Sequence, residues 1–140
     1  MTARLLILSL TLATMPVAAQ TLATGTPTGP DAEPVITKQG STTIVNTTTL
    51  AQDVEGYAGP TPLRIFIKGG KVQRVEALDN LETPKYFALI KRDILPKWDG
   101  LTVKKAAALQ VDAVTGATYS SEAVVENVRR GLDYFSKKKK

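Results

Sequence analysis

Residues 63 to 78, LRIFIKGGKVQRVEAL, constrain the fold of this chain more than any other stretch. Leu63, Ile65 and Ile67 alternate with Arg64, Phe66 and Lys68, the period of two that belongs to a β-strand. Gly69-Gly70 then supplies a pair of residues free to take the positive φ angles of a tight hairpin turn. Lys71 to Leu78 returns as the partner strand. Upstream, Ser41 to Val45 and Thr47 to Leu50 are rich in β-branched side chains, so residues 41 to 55 read as further strand. The cluster GYAGPTP, residues 56 to 62, separates the two as a turn.

The pattern changes after the hairpin. Pro84 suits the first turn of a helix, with Thr83 as its N-cap. Tyr86, Phe87, Leu89, Ile90 and Ile94 supply an apolar face at helical spacing, and Pro96 and Asp99-Gly100 end it. Residues 102 to 108 suit one short helix, and Leu109 and Val111 a short strand or an extended entry into residues 112 to 118. From Ser120 the helical period resumes, with Val124, Val125, Val128, Leu132 and Phe135 on one face. Strands first and helices last predict an α+β fold. Its sheet would be largely antiparallel, with a hairpin around Gly69-Gly70 and a C-terminal helix packed on the sheet.

The two ends read differently. Residues 1 to 19 have a positive Arg4, an apolar run from Leu5 to Leu12 and small residues at Val17-Ala18-Ala19, the layout of a secretory signal peptide. The run is shorter than the roughly 20 apolar residues of a bilayer span. Export is therefore expected, periplasmic ahead of extracellular. Residues 20 to 40, rich in Thr, Gly and Pro, read as a flexible leader. The domain is expected over 41 to 136, with 137 to 140 a solvated basic tail. That tail holds four of the lysines behind the net charge of +5, and its alternative reading is a docking patch for an acidic partner or a membrane surface.

Composition excludes much chemistry. The chain has no cysteine and no histidine. Disulfides, zinc, haem and iron–sulfur sites built on those ligands are excluded, as are Ser-His-Asp and Cys-His catalysis. No metal site is expected. An exported chain without a basic–aromatic stripe does not suggest nucleic-acid binding, and no dinucleotide fingerprint suggests a stand-alone reductase.

One stretch offers more than it structurally needs. DAVTGATYSSEAV, residues 112 to 124, places hydroxyls at Thr115, Thr118, Ser120 and Ser121 just ahead of the final helix. Capping needs one of them, from Ser120 or Thr118, with Glu122 in the first turn. A helix N-terminus also offers unpaired N–H groups and the positive end of the dipole, which favour a phosphate. Gly116 and Ala117 leave the approach open, and Asp112 is placed to orient a hydroxyl or a cation. On residue chemistry alone, a phosphate site with an attackable hydroxyl and a plain capped helix both remain open.

The heptad Asp112-Ala-Val-Thr115-Gly116-Ala117-Thr118 resembles the flavinylation motif of FMN-binding domains, found in subunits of sodium-translocating NADH:quinone reductase and of Rnf electron-transport complexes, and in small exported proteins. The resemblance extends over most of residues 55 to 135: Gly56-Tyr57-x-Gly59-Pro60, Gly70-Lys71-Val72, Glu82-Thr83-Pro84 and the helix Val124 to Leu132 match the family's order. It implies an extracytoplasmic electron carrier rather than an enzyme. FMN would be joined through its phosphate to Thr118 by a flavin transferase that uses FAD and magnesium. Asp112 would be read by the transferase or activate the hydroxyl, and Thr115 would hydrogen-bond within the turn or to phosphate. Glu82 and Thr83 would contact the flavin. The family has glycine after Glu-Thr-Pro where this chain has Lys85, which implies a differently shaped loop. Lys85 then reads as a charge beside the ring or as a solvated surface lysine. Tyr57, Tyr86 and Trp98 are candidates for stacking on the ring. A redox partner, membrane-bound or soluble, is implied without being identified. The alternative is a module of the same fold without covalent flavin, one that holds FMN or another ligand reversibly or serves as a surface-interaction module.

Overall fold

The computed structural model describes residues 33–139. The expected signal peptide, and residues 20 to 32 of the expected leader, lie outside the described residues. Four strands come first: β1 (Ile36–Gln39), β2 (Thr42–Asn46), β3 (Leu63–Lys68) and β4 (Lys71–Ala77). They form one antiparallel sheet in the order β1-β2-β3-β4. Three helices follow: α1 (Pro84–Asp93), α2 (Val103–Ala108) and α3 (Thr118–Lys138), with a 3-10 turn at Leu95–Trp98 between the first two. This is the expected α+β architecture. Its hairpin turns at Gly69 and Gly70, whose φ angles of 60° and 72° only glycine adopts without strain.

The alternation in β3 decides which face meets the helices. Leu63, Ile65 and Ile67 are buried with Val45, Val72 and Val75 from neighbouring strands. Against them lie Val124, Val128 and Leu132 of α3 and Phe87 and Ile90 of α1. Phe66 points to the other face, beside Ile44 in register, and the guanidinium of Arg74 covers its ring at 3.7 Å. A β-bulge between Phe66 and Ile67 shifts the β3–β4 register at that point. Helix α3 approaches the sheet closely at Gly131, where a methyl group would stand 2.6 Å from Ile65 Cδ1.

Three sequence expectations need correction. Strand β1 lies inside the expected leader, so the sheet begins before residue 41. Thr47 to Leu50 are not strand. Asn46 Oδ1 accepts from the Thr48 N–H and hydroxyl and turns the chain, while the buried Thr47 hydroxyl donates to Asn127 Oδ1 of α3 and accepts from the Leu63 N–H. Of the two readings of Leu109 to Val111, the extended entry into the motif is the one found, since these residues join no strand. Lys137 and Lys138 are the last turn of α3 rather than a tail. Lys137 pairs with Asp133 at 2.9 Å, and the cations sit favourably at the negative end of the helix dipole.

Candidate functional site

The hydroxyl-rich stretch folds as a turn and then a helix. Gly116 has a φ of 83°, a left-handed conformation that a side chain would strain. Ala117 is the N-cap residue, and α3 starts at Thr118, two residues before the expected Ser120. No side chain caps this helix, and Glu122 lies beyond its first turn. The first intrahelical bond runs from the Ser121 N–H to the Ala117 carbonyl. Among the described residues, the N–H groups of Thr118, Tyr119 and Ser120 therefore have no acceptor. They converge with the positive end of the α3 dipole on one small volume.

That volume is the mouth of a cavity of about 310 Å3. Gly116, Ala117, Thr118, Tyr119 and Ser120 form one wall. Glu82 and Thr83, at the entry to α1, form another, and Tyr57 and Tyr86 complete the lining. Thr83 is the N-cap residue of α1, but its side chain makes no capping bond and stays available to the cavity. Tyr57, Tyr86 and Tyr119 are all substantially exposed. Three exposed aromatic faces around one cleft suit a flat aromatic ligand.

The four hydroxyls have different fates. Ser121 is buried, donates to the Ala117 carbonyl at 2.6 Å and accepts from the Val114 N–H at 3.1 Å. Ser120 is buried, donates to Glu82 Oε2 at 2.5 Å and receives the Tyr57 N–H at 3.4 Å. Thr115 is exposed and outside the cavity lining. Thr118 is exposed, lines the cavity, and makes no hydrogen bond to any described residue.

Glu82 organises this site. It is 7 % exposed, and its second oxygen accepts the Ala58 N–H at 3.2 Å. Its own N–H donates to Asn80 Oδ1 at 3.1 Å. One carboxylate thus ties the loop carrying Tyr57 to the first turn of α3. Gly56 makes room for it: a methyl group there would fall 2.2 Å from Glu82 Oε1.

Of the sequence-derived residues, Glu82, Thr83, Gly116, Ala117 and Thr118 meet at the cavity, with Tyr57 and Tyr86. Asp112, Thr115, Pro84 and Lys85 are exposed and do not line it. Trp98 is not a ring-stacking residue: it is 1 % exposed, inside the core on the 3-10 turn. Sequence reasoning missed Tyr119 and the structural part played by Ser120. The signal was present, since both directly follow Thr118 in a stretch opening a helix.

Fold and site together define a small α+β ligand-binding domain, suited to a phosphorylated aromatic compound held at a helix N-terminus. The chain belongs to the FMN-binding domain family, whose model matches residues 56–133. It is similar to the G subunit of the ion-translocating oxidoreductase complex of Shewanella piezotolerans, 32% identical over 118 residues, 75% of this chain and 55% of the relative. The chain thus spans about half the length of that relative. No solved structure matches it.

The residues present fit FMN. The unpaired N–H groups and the Gly116 turn suit a phosphate, and the tyrosines suit a flat ring system. Among the described residues no cluster of acidic side chains suits a metal ion.

Proposed function

We propose that this protein is an electron carrier outside the cytoplasm with FMN joined to Thr118 through a phosphoester bond. One observation carries the assignment of the residue. Of the four aliphatic hydroxyls in the motif, Ser120 and Ser121 are buried and engaged, Thr115 lies off the cavity, and Thr118 alone is both exposed and within it. The hydroxyl loses its proton, its oxygen bonds to the FMN phosphorus of FAD, the pyrophosphate bond of FAD breaks, and AMP leaves. A flavin transferase using FAD performs this maturation, with Asp112 and Thr115 on the exposed approach it must read. Thr118 then takes no part in turnover. FMN supplies the redox chemistry when bound, and the protein supplies a tether, aromatic walls and unpaired N–H donors.

The similarity to a subunit of an ion-translocating oxidoreductase complex supports electron transfer to or from a redox partner. The layout of residues 1 to 19 supports export. A tether is useful there, because a dissociated cofactor would be lost from the cell.

Co-expression with a flavin transferase followed by a denaturing gel tests the bond. Wild type and Thr118→Ser should show flavin fluorescence in the gel, and Thr118→Ala should not. An unlabelled wild-type protein that still binds FMN in solution would establish the reversible alternative. Label lost in Thr115→Ala but retained in Thr118→Ala would move the site.

A further inference from the structure

We propose that the pole of the molecule opposite the flavin cavity is a docking surface for an anionic lipid bilayer. Helix α3 has 21 residues, which separates its ends by about 30 Å. Its N-terminus forms the cavity. Its C-terminus lies beside the β1–β2 turn and the β3–β4 turn. The start of α2 joins the second of these, through the Val103 N–H donating to the Gly70 carbonyl and the Lys71–Thr102 bridge. Each of these segments brings lysines: Lys38 from β1, Lys68 and Lys71 from the hairpin, Lys104 and Lys105 from α2, and Lys138 and Lys139 from the end of α3. All seven are exposed, and among the described residues none has an ion-pair partner. Asp133, the acidic residue in the last turns of α3, is already paired with Lys137. The cavity end carries Glu82, Asp112 and Glu122 with a single lysine, Lys85, near them.

Two features favour a bilayer over an acidic protein. The charges come from four separate segments, all as lysines on flexible stems. That makes a spread of point charges without the planar forks that arginine offers to individual carboxylates. Between them lies a groove of about 430 Å3 whose floor includes Ile36, Ile67 and Phe135 and whose rim carries Lys38, Lys138 and Lys139. An ammonium rim over an apolar floor matches an amphiphile with an anionic head. Seven unpaired lysines on one face lie within the range that holds a protein on anionic lipid. Docking through this pole points the flavin cavity away from the bilayer, open to a redox partner. The inference does not rest on the covalent bond to FMN.

The test is sedimentation of the full chain with vesicles. One set is phosphatidylcholine alone and the other equal parts phosphatidylcholine and phosphatidylglycerol, each at low and high salt. Binding is expected to the anionic vesicles only and to fall as salt rises. The variant Lys38→Gln/Lys68→Gln/Lys71→Gln should bind about a hundredfold more weakly, at about fivefold per lysine. Lys85→Gln/Lys91→Gln/Lys97→Gln removes the same charge around α1 and should bind within about twofold of wild type. An unchanged melting temperature in each variant excludes misfolding. Equal binding to both vesicle types would overturn the proposal, since an apolar segment does that without lysines. Equal losses in the two variants would overturn it too. Binding to polyglutamate without binding to anionic vesicles would replace the bilayer with an acidic polypeptide.

Discussion

Gly56→Ala should destabilise the domain, and only while Glu82 is present. Position 56 does not have a left-handed φ, so alanine is allowed by its backbone. Fewer unfolded conformations alone would make the change stabilising by about 0.4–1 kcal/mol. The added methyl, however, would lie 2.2 Å from Glu82 Oε1 and 3.1 Å from Thr61 Cγ2. The carboxylate must leave, and it takes with it the bonds from Ser120 and Ala58. Hydrogen bonds to a charged acceptor contribute about 1.5 kcal/mol each at the low end, so two amount to about 3 kcal/mol. Subtracting the unfolded-state gain leaves a net loss of about 2 kcal/mol. Glu82→Ala removes the same bonds without that gain and leaves the buried Ser120 hydroxyl unpaired, costing about 3 kcal/mol. The two losses are the same loss. The double variant should therefore sit about 2 kcal/mol below wild type instead of about 5. In the Glu82→Ala background, Gly56→Ala should be neutral or stabilising by up to about 1 kcal/mol, with only the Thr61 contact opposing the gain. Urea unfolding followed by the fluorescence of Trp98, the single tryptophan and a core residue, measures all four corners of the cycle. Gly56→Ala should melt about 10 °C and Glu82→Ala about 15 °C below wild type. If Gly56→Ala costs as much without Glu82 as with it, the carboxylate is not what position 56 accommodates.

Further outcomes follow from individual side chains. Thr61 is fully buried, and among the described residues its hydroxyl finds no partner. Thr61→Val should be neutral or stabilising by up to about 1 kcal/mol, and a clear loss in urea unfolding would mean that the hydroxyl is satisfied in solution. Glu126 is held from its ordinary 4.5 down to about 2, chiefly by the hydrogen bond from Arg129, with Arg130 adding to it and burial opposing. A depressed carboxyl stabilises fully above its unfolded value and loses that contribution as pH falls through about 2. Because the group is partly solvated, about 1 kcal/mol is expected from it. Unfolding free energies of wild type and Glu126→Gln should accordingly converge between pH 4.5 and 2; a constant gap would remove the Arg129 pairing from the account. Gly116→Ala forces a side chain into a left-handed turn and should cost about 1–2 kcal/mol. It should also slow FMN attachment to Thr118, and normal labelling would show that the turn geometry is not required for that reaction.

Much of the architecture was legible because it is written in local periods. The alternation of Leu63, Ile65 and Ile67, the glycine pair and the valine stripe of α3 each follow from a repeat a short window contains. Where a local rule failed, a partner distant in sequence had intervened. Ile36–Gln39 has the composition of a linker, and it becomes a strand because β2 offers a free edge to pair with. Thr47 has high strand propensity, yet its hydroxyl is drawn to Asn127, 80 residues away. Trp98 looked available to a ring because an isolated aromatic gives no sign of which way it faces. Packing places it in the core.

The same division holds at the site. By itself the sequence determined that the chain excludes histidine and cysteine chemistry, and it narrowed the functional hydroxyl to a short motif before a helix. It could not rank those hydroxyls, because availability is a property of neighbours. Only the tertiary structure buries Ser120 against Glu82, closes Ser121 onto its own turn, and leaves Thr118 open beside three tyrosines and three unpaired N–H groups. A local pattern specifies which groups a turn can present. The packing of distant segments decides which of them remain unsatisfied, and so able to react.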